Sequence, residues 1–313
     1  MSSAPVVFSG ARVESVLPSS HELGEGAIFH GGRYLHVDIY GPSGSGQPGP
    51  AVYSHDVSSG ALRAYPMPSF VGTVVPCADG RRAAVALRDG VWALDLASGA
   101  LSRLFPGLAP GADRRFNDGK AAPDGRLWVG SMGAPGKVAP GAGTLYVCEP
   151  DGATFRAALP GVTISNGLAW APDGRTMYYI DTPEDAVFAF DYDAATGAIA
   201  NKRVAFAIPA GTGHPDGCCI DAAGNLWVAQ WGGSRVVAYN TATGAVVAEV
   251  RLPAAHVSSV TFGGDGLGDL YITTAKEHLS PEERAAQPHA GDIFMVKNCG
   301  FKGLPACTFA LKA

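Results

Sequence analysis

The chain has 313 residues, 47% of them hydrophobic and 16% charged, with a formal net charge of −5. That length allows two domains, but closed all-β folds of this size are commonly one, and a single domain over 1–313 is expected. A mildly acidic chain with no long run of one sign lacks the basic patch that nucleic-acid binding needs, and no stretch approaches the ~18 apolar residues of a membrane-spanning helix.

Residues 1–20 show no basic region followed by an apolar run, so no secretory leader is expected and the compartment reads as cytoplasmic. The six cysteines form no Cys-x-x-Cys pair, which removes the common thiolate zinc pattern. They read as scattered reduced thiols, with a Cys299–Cys307 bridge left open. The 42 glycines and 23 prolines fall in clusters between short apolar runs. Such punctuation suits many short strands joined by tight turns.

In chain order one phrase repeats: turn, aromatic strand, short loop, apolar strand. The first unit holds strands at 34–38 and 51–54, the second at 83–87 and 90–94, the third at 127–130 and 144–147. The fourth has 177–180 and 186–190, the fifth 226–229 and 235–239, the sixth 270–273 and 292–296. Turn glycines Gly32, Gly80, Gly125, Gly174, Gly224 and Gly266 mark the series, at spacings of about 48, 45, 49, 50 and 42 residues. A period of that size is the mark of a β-propeller blade. Runs of four to six apolar residues suit strands covered on both faces, and blades of that kind need a closed ring. The expected fold is therefore all-β, a six-bladed β-propeller with its ring closed by an N-terminal strand. The last unit is short of one strand, and Val6-Val7-Phe8 or residues 12–16 are the candidates to pair with it. Residues 280–287 form the one helical pattern, with Ser280 as cap and Pro281 at its start. The Gly/Pro/Ser stretches at 41–50 and 134–143 read either as flexible surface loops or as a lid over the channel mouth.

Polar-glycine motifs recur at one phase of this repeat: Glu25-Gly26, Asn117-Asp118-Gly119, Asn166-Gly167 and Asp216-Gly217. Each lies seven or eight residues before a turn glycine. Taken singly, Asn-Gly and Asp-Gly are turn formers. Their recurrence at one phase instead places Glu25, Asn117, Asn166 and Asp216 at the starts of innermost strands, converging on one end of the channel. The glycines would permit tight turns and close backbone approach there. Carboxylate and carboxamide oxygens make a hard, oxygen-only ligand set, suited to calcium, magnesium or manganese, while zinc also accepts carboxylates. Arg115 lies two residues before Asn117, on the same side of an extended strand, and is favoured over Arg114 as a site residue. His214, two residues before Asp216, reads as a solvated loop histidine, with help in proton transfer as the alternative.

The segments Leu23-Gly24-Glu25-Gly26, Arg115-Phe116-Asn117-Asp118-Gly119-Lys120, Ser165-Asn166-Gly167-Leu168-Ala169-Trp170 and Pro215-Asp216-Gly217-Cys218 resemble the regucalcin (senescence marker protein)/gluconolactonase family. Trp231-Gly232-Gly233 is similar to the sugar-acid lactonases of that family. The resemblance spans residues 20–300 and implies a six-bladed propeller. It also implies one divalent metal ion, calcium first, held by Glu25, Asn166 and Asp216. Substrate contacts by Arg115 and Asn117, and a general-base role for Asp216, follow from it too. Animal members can supply an acidic substrate-contacting residue after the Ser131-Met132 position, where this chain runs Gly133-Ala134-Pro135-Gly136.

The expected function is hydrolysis of a sugar or aldonic-acid lactone to the open-chain acid, by a monomer or weak homo-oligomer. Two alternatives are a related metal-dependent esterase or phosphotriesterase and a non-catalytic calcium-binding regulatory propeller. No G-x-S-x-G elbow and no G-x-x-x-x-G-K-[ST] nucleotide loop occurs.

Overall fold

A computed structural model describes residues 4–41, 49–108 and 113–312. Residues 42–48 of the expected loop or lid at 41–50 lie outside the described residues. The chain starts with β1 (Val6–Phe8) and β2 (Glu14–Leu17). Four antiparallel four-stranded sheets then follow one another in sequence. They are β3 (Gly24–His30), β4 (Arg33–Asp38), β5 (Ala51–Asp56) and β6 (Leu62–Pro66); then β7 (Val71–Pro76), β8 (Arg82–Leu87), β9 (Gly90–Asp95) and β10 (Leu101–Pro106). Next come β11 (Arg114–Ala121), β12 (Leu127–Gly133), β13 (Gly143–Cys148) and β14 (Phe155–Val162), then β15 (Ser165–Trp170), β16 (Thr176–Asp181), β17 (Ala186–Asp193) and β18 (Ala198–Ala207). A further meander, β19 (His214–Ile220), β20 (Asn225–Trp231), β21 (Arg235–Asn240) and β22 (Val246–Arg251), carries β1 in parallel on β22. The last strands are β23 (His256–Gly263), β24 (Asp269–Ala275) and β25 (Ile293–Val296), with β2 antiparallel on β25. A single bridge between Trp231 and His256 joins these last two groups.

The two N-terminal candidates thus have different partners. Residues 14–17 pair with the last group of strands, whereas Val6-Val7-Phe8 adds to the group before it.

The first strand of each group packs beside the first strand of the next. β3 lies against β7, β7 against β11, β11 against β15, β15 against β19, β19 against β23, and β23 returns to β3. Hydrophobic side chains fill the gaps between neighbouring sheets. Val37, Val52, Val74 and Val85 pack between the first two sheets, and Trp128, Leu145, Tyr179 and Phe188 between the third and fourth. Trp227, Val250, Val260 and Phe294 join the last two groups. Burial on both faces explains why β8 reads as an unbroken run, Ala83-Ala84-Val85-Ala86-Leu87, rather than as an alternation.

The six turn glycines all have positive φ, between 66° at Gly80 and 83° at Gly125. That conformation strains any residue with a Cβ, so the repeat spacing in the sequence records backbone geometry. Helix α1 (Pro281–Ala286) starts where Ser280 and Pro281 indicate. Ser280 Oγ accepts from the Glu283 N–H at 3.2 Å, and the Glu283 carboxylate accepts from the Ser280 N–H at 2.8 Å, a reciprocal capping box.

The N-terminal strands contribute side chains to the core as well as pairing. Phe8 and Val13 sit in the cluster around Trp227, and Val16 and Leu17 pack beside Ile293. Deletion of residues 1–17 is expected to lower the melting temperature by about 10 °C or more, because several kcal/mol of burial are lost at roughly 2–4 °C per kcal/mol. Calorimetry checks this, and a wild-type melting temperature would refute it.

Candidate active site

Every first strand changes register partway along its pairing with the second. The shifts fall between Glu25 and Ile28, Val71 and Val74, Phe116 and Gly119, Asn166 and Leu168, Pro215 and Cys218, and Val257 and Ser259. A bulge bends the strand and re-aims the side chains at that point. Glu25, Asn117, Asn166 and Asp216 all occupy these bulges. The glycines beside them serve two different purposes. Gly26 has φ +64°, so it does need left-handed freedom. Gly167 has an ordinary backbone but no room, since a Cβ there would lie 2.6 Å from the Asp216 carbonyl oxygen. Gly167 is what lets β15 and β19 approach.

All five expected site residues line one cavity of about 240 Å3. Glu25, Arg115, Asn117, Asn166 and Asp216 are each at most 6% exposed. The arginine of the site is Arg115, while Arg114 is only half-buried at the strand end. A hydrogen-bond relay ties three sheets together here. Arg115 Nη1 donates to Asn117 Oδ1 at 2.5 Å, and Asn117 Nδ2 donates to Asn166 Oδ1 at 2.8 Å and to the Ser165 carbonyl at 2.9 Å. Asn166 Nδ2 donates to Thr182 Oγ1 at 2.8 Å, and Thr182 donates onward to the Pro215 carbonyl at 2.9 Å, next to Asp216. With its one proton committed to that carbonyl, Thr182 can only accept from Asn166, so the relay orients the Asn166 carbonyl oxygen towards Asn117. Arg115 Nε is buried with no partner among the described residues.

The charges are less balanced than the hydrogen bonds. Burial, the Asp216 charge and the Asp118 charge push the Glu25 carboxyl well above the usual range. Burial and the Asp118 charge push Asp216 up as well, against the pull of Glu25 and Arg115. Asp118 is itself raised by burial, partly offset by Lys120. Buried carboxylates held this close favour a bound proton or a cation. Glu25, Asp216 and the Asn166 carbonyl oxygen offer the oxygen donors that a hard divalent cation takes. Among the described residues no group of three or more His, Cys, Asp or Glu side chains gathers as a metal cluster, so any such centre here depends on the carboxamide. The raised carboxyls and the oriented amide fit that use.

Several neighbours carry little sequence signal. Tyr40, Thr182 and Glu277 also line the cavity, beside Trp231 of the Trp231-Gly232-Gly233 motif. Thr182 lies in a short 3-10 turn after β16, outside the repeated motif. Asp38 and Asp181 act from behind, at matching strand ends. Asp38 accepts from the Glu22 and Leu23 N–H groups, both at 3.1 Å. Asp181 accepts from Thr163 at 2.9 Å and Ile164 at 2.8 Å. Each carboxylate anchors the segment entering a site-bearing strand, and their recurrence at the end of the second strand is a signal the sequence does carry. His214 is exposed and holds Asp185 at 2.7 Å, the solvated role. Gly133, Pro135, Gly136 and Val138 line the cavity, which places the 134–143 stretch along its edge. All six cysteines are free thiols, including Cys299 and Cys307.

The other ends of the same strands are chemically different. A cavity of about 290 Å3 there is lined by Ala27, Trp170, Cys219 and Phe262, with Leu304 and Pro305 of the C-terminal segment. Lys120 and Thr261 also line that cavity, whereas the carboxylates and carboxamides gather at the end that holds Glu25 and Asp216.

Fold and site define an all-β protein with consecutive small sheets around a polar, acidic pocket. Residues 23–276 match the family model described as SMP-30/Gluconolactonase/LRE-like region, and the chain belongs to that family. It is similar to regucalcin from Oryctolagus cuniculus, 34% identical over 97% of this chain and 100% of that protein. Among solved structures it is similar to a calcium-binding protein, regucalcin, from Agrobacterium tumefaciens, with a TM-score of 0.88 at 26% identity over 99% of this chain and 100% of that one. A luciferin-regenerating enzyme matches with a TM-score of 0.85 at 28% identity, over 96% and 99% of the two chains. No helix of the described residues is long and apolar enough to cross a membrane.

Packing and charge at the site are both open to measurement. Gly167→Ala is expected to destabilise by roughly 1–3 kcal/mol through overpacking against the Asp216 carbonyl, measured by urea unfolding; a cost near zero would show that the strands can separate freely. The charges make stability depend on pH. The folded protein keeps protons on Glu25 and Asp216 that the unfolded chain has already lost, so stability falls as pH rises from the ordinary carboxylate range through the raised values. Cation-free protein should therefore melt lower at pH 7.5 than at pH 5, and Glu25→Gln should flatten that slope. Equal slopes for variant and wild type would contradict this origin.

Proposed function

We propose that this protein hydrolyses a sugar or aldonic-acid lactone, on a single-domain, six-bladed propeller whose last blade is completed by β2. The circuit of first strands and the β2–β25 pairing support that architecture. The observation that carries the activity is the pair of buried carboxylates, Glu25 and Asp216, sharing a cavity with the Arg115–Asn117–Asn166 relay. The family name supports a lactonase as the reaction class.

Glu25, Asn166 and Asp216 would hold a divalent cation, calcium first, with zinc, manganese and magnesium as the other candidates. The donor chemistry supports calcium, and the Agrobacterium relative is called calcium-binding. When bound, the cation supplies positive charge that polarises the lactone carbonyl. The chain's own residues do the rest. Arg115 and Asn117 hold the ring oxygens and hydroxyls and fix the direction of attack. Asp216 accepts a proton at its carboxylate oxygen as the water oxygen bonds to the carbonyl carbon. The ring carbon–oxygen bond then breaks, and the proton passes to the departing ring oxygen, which leaves as a hydroxyl. An aldonic acid is released and Asp216 is regenerated. Only a carboxylate that is ionised at working pH can take that proton, and a neighbouring cation keeps it so.

Asp216→Ala is expected to lower kcat on gluconolactone by about 100- to 10,000-fold and to weaken calcium binding. Steady-state kinetics and titration calorimetry read the two effects. If cation-loaded wild-type protein turned over no lactone in a broad panel, the assignment would fall, and calcium binding without turnover would leave a calcium-binding role.

A further inference from the structure

Glu277 follows β24 and lines the same cavity as Arg115, yet the hydrolytic step makes no use of it. Its position is fixed from behind. The Glu277 N–H donates to the Glu22 carbonyl at 2.8 Å, and the Lys276 N–H donates to the same oxygen at 3.0 Å. Glu22 is itself held, by its N–H to Asp38 and by Arg284, whose Nη2 lies 2.6 Å from its carboxylate. His278, the next residue, has φ +65°, and Leu279 closes the turn onto the Lys276 carbonyl at 3.1 Å. A carboxylate mounted on such a turn points where the backbone sends it.

The side chain is 19% exposed. Among the described residues the basic atom within 4 Å of it is His278 Nε2 at 3.6 Å, on an exposed ring. The Tyr40 phenol lies beside it, and the Arg115 guanidinium sits 5.5 Å from the Tyr40 ring centre. An ionised carboxylate offers roughly four acceptor positions, so most of them face the cavity free. Arg115 lines the same cavity, but its Nη1 is committed to Asn117 and the Phe116 carbonyl, and its Nε is enclosed by protein. The cavity therefore holds spare acceptors on Glu277. A hydroxyl group donates to them. An apolar ligand cannot, and would leave the carboxylate desolvated.

We propose that Glu277 forms a hydroxyl-reading subsite that makes a neutral polyhydroxy lactone the preferred substrate over an unsubstituted or alkyl lactone. Ring hydroxyls donate to the Glu277 carboxylate. A substrate bearing its own carboxylate is disfavoured by the Glu277 charge. This carboxylate reaches the pocket from the last group of strands, whereas the Gly133-Ala134-Pro135-Gly136 stretch supplies none. The inference rests on the lactonase reading for its substrate class.

The test uses the full chain loaded with calcium, and compares wild type, Glu277→Gln and Glu277→Ala on δ-gluconolactone and on δ-valerolactone, which has the ring without the hydroxyls. Glu277→Ala is expected to reduce the ratio of the two kcat/KM values by about 10- to 100-fold, mainly through KM on gluconolactone, with Glu277→Gln in between. Equal loss on both lactones, or no loss on gluconolactone, overturns the proposal. A second readout needs no turnover: glucose, which keeps ring and hydroxyls but has no ester, should bind wild type at least about 10-fold more tightly than Glu277→Ala, by calorimetry. If no lactone were hydrolysed while glucose binding still depended on Glu277, the lactonase assignment would fall and the hydroxyl subsite would stand. Glucose bound equally by both proteins, or not by wild type, overturns the subsite itself.

Discussion

Each small sheet of this protein is apolar on both faces, and none is covered unless another sheet stands on either side. That constraint organises everything else. Val85, Trp128, Tyr179 and Trp227 are all buried between sheets rather than in a central core. The middle, where the first strands meet, is left to side chains that the inter-sheet packing does not need. Polar residues can collect there without disturbing the hydrophobic clusters, provided that they satisfy one another.

The backbone makes room for this collection in a repeated way. A bulge in each first strand turns a side chain aside from the ladder, and glycines such as Gly167 allow neighbouring strands to come close. Close strands let an amide on β15 reach an amide on β11, and a threonine beyond β16 reach a carbonyl on β19. The relay from Arg115 to Pro215 thus couples side-chain orientation across three sheets. Three buried carboxyls remain, Glu25, Asp118 and Asp216, whose desolvation and crowding are the chemical tension of the site. Such tension is costly for stability alone and useful for holding a cation or moving a proton.

The two ends of the first strands divide the labour. One end gathers arginine, asparagines and carboxylates around a polar pocket, while the other is lined mostly by apolar side chains, with Lys120 among them, and is bordered by the C-terminal segment. A strand of six to eight residues with a polar start and an apolar finish, such as β19 over 214–220 (His-Pro-Asp-Gly-Cys-Cys-Ile), carries both characters in its own sequence.

Repeat spacing, turn glycines and the phase of Glu25, Asn117, Asn166 and Asp216 are properties of short segments, and the order of residues alone displays them. So it does the helix at 281–286, because its cap residues act within one turn. The N-terminal pairing is legible only as a choice of two segments, since both are short and each fits an edge strand; the packing of neighbouring sheets sends one to β22 and the other to β25. Tyr40, Thr182 and Glu277 escape notice in the sequence because they stand on turns with no repeated motif. Their place in the pocket follows from how distant loops fold over one end of the first strands. Local chemistry can be read residue by residue, but a meeting of side chains some 160 positions apart, as between Arg115 and Glu277, exists only once the sheets have packed.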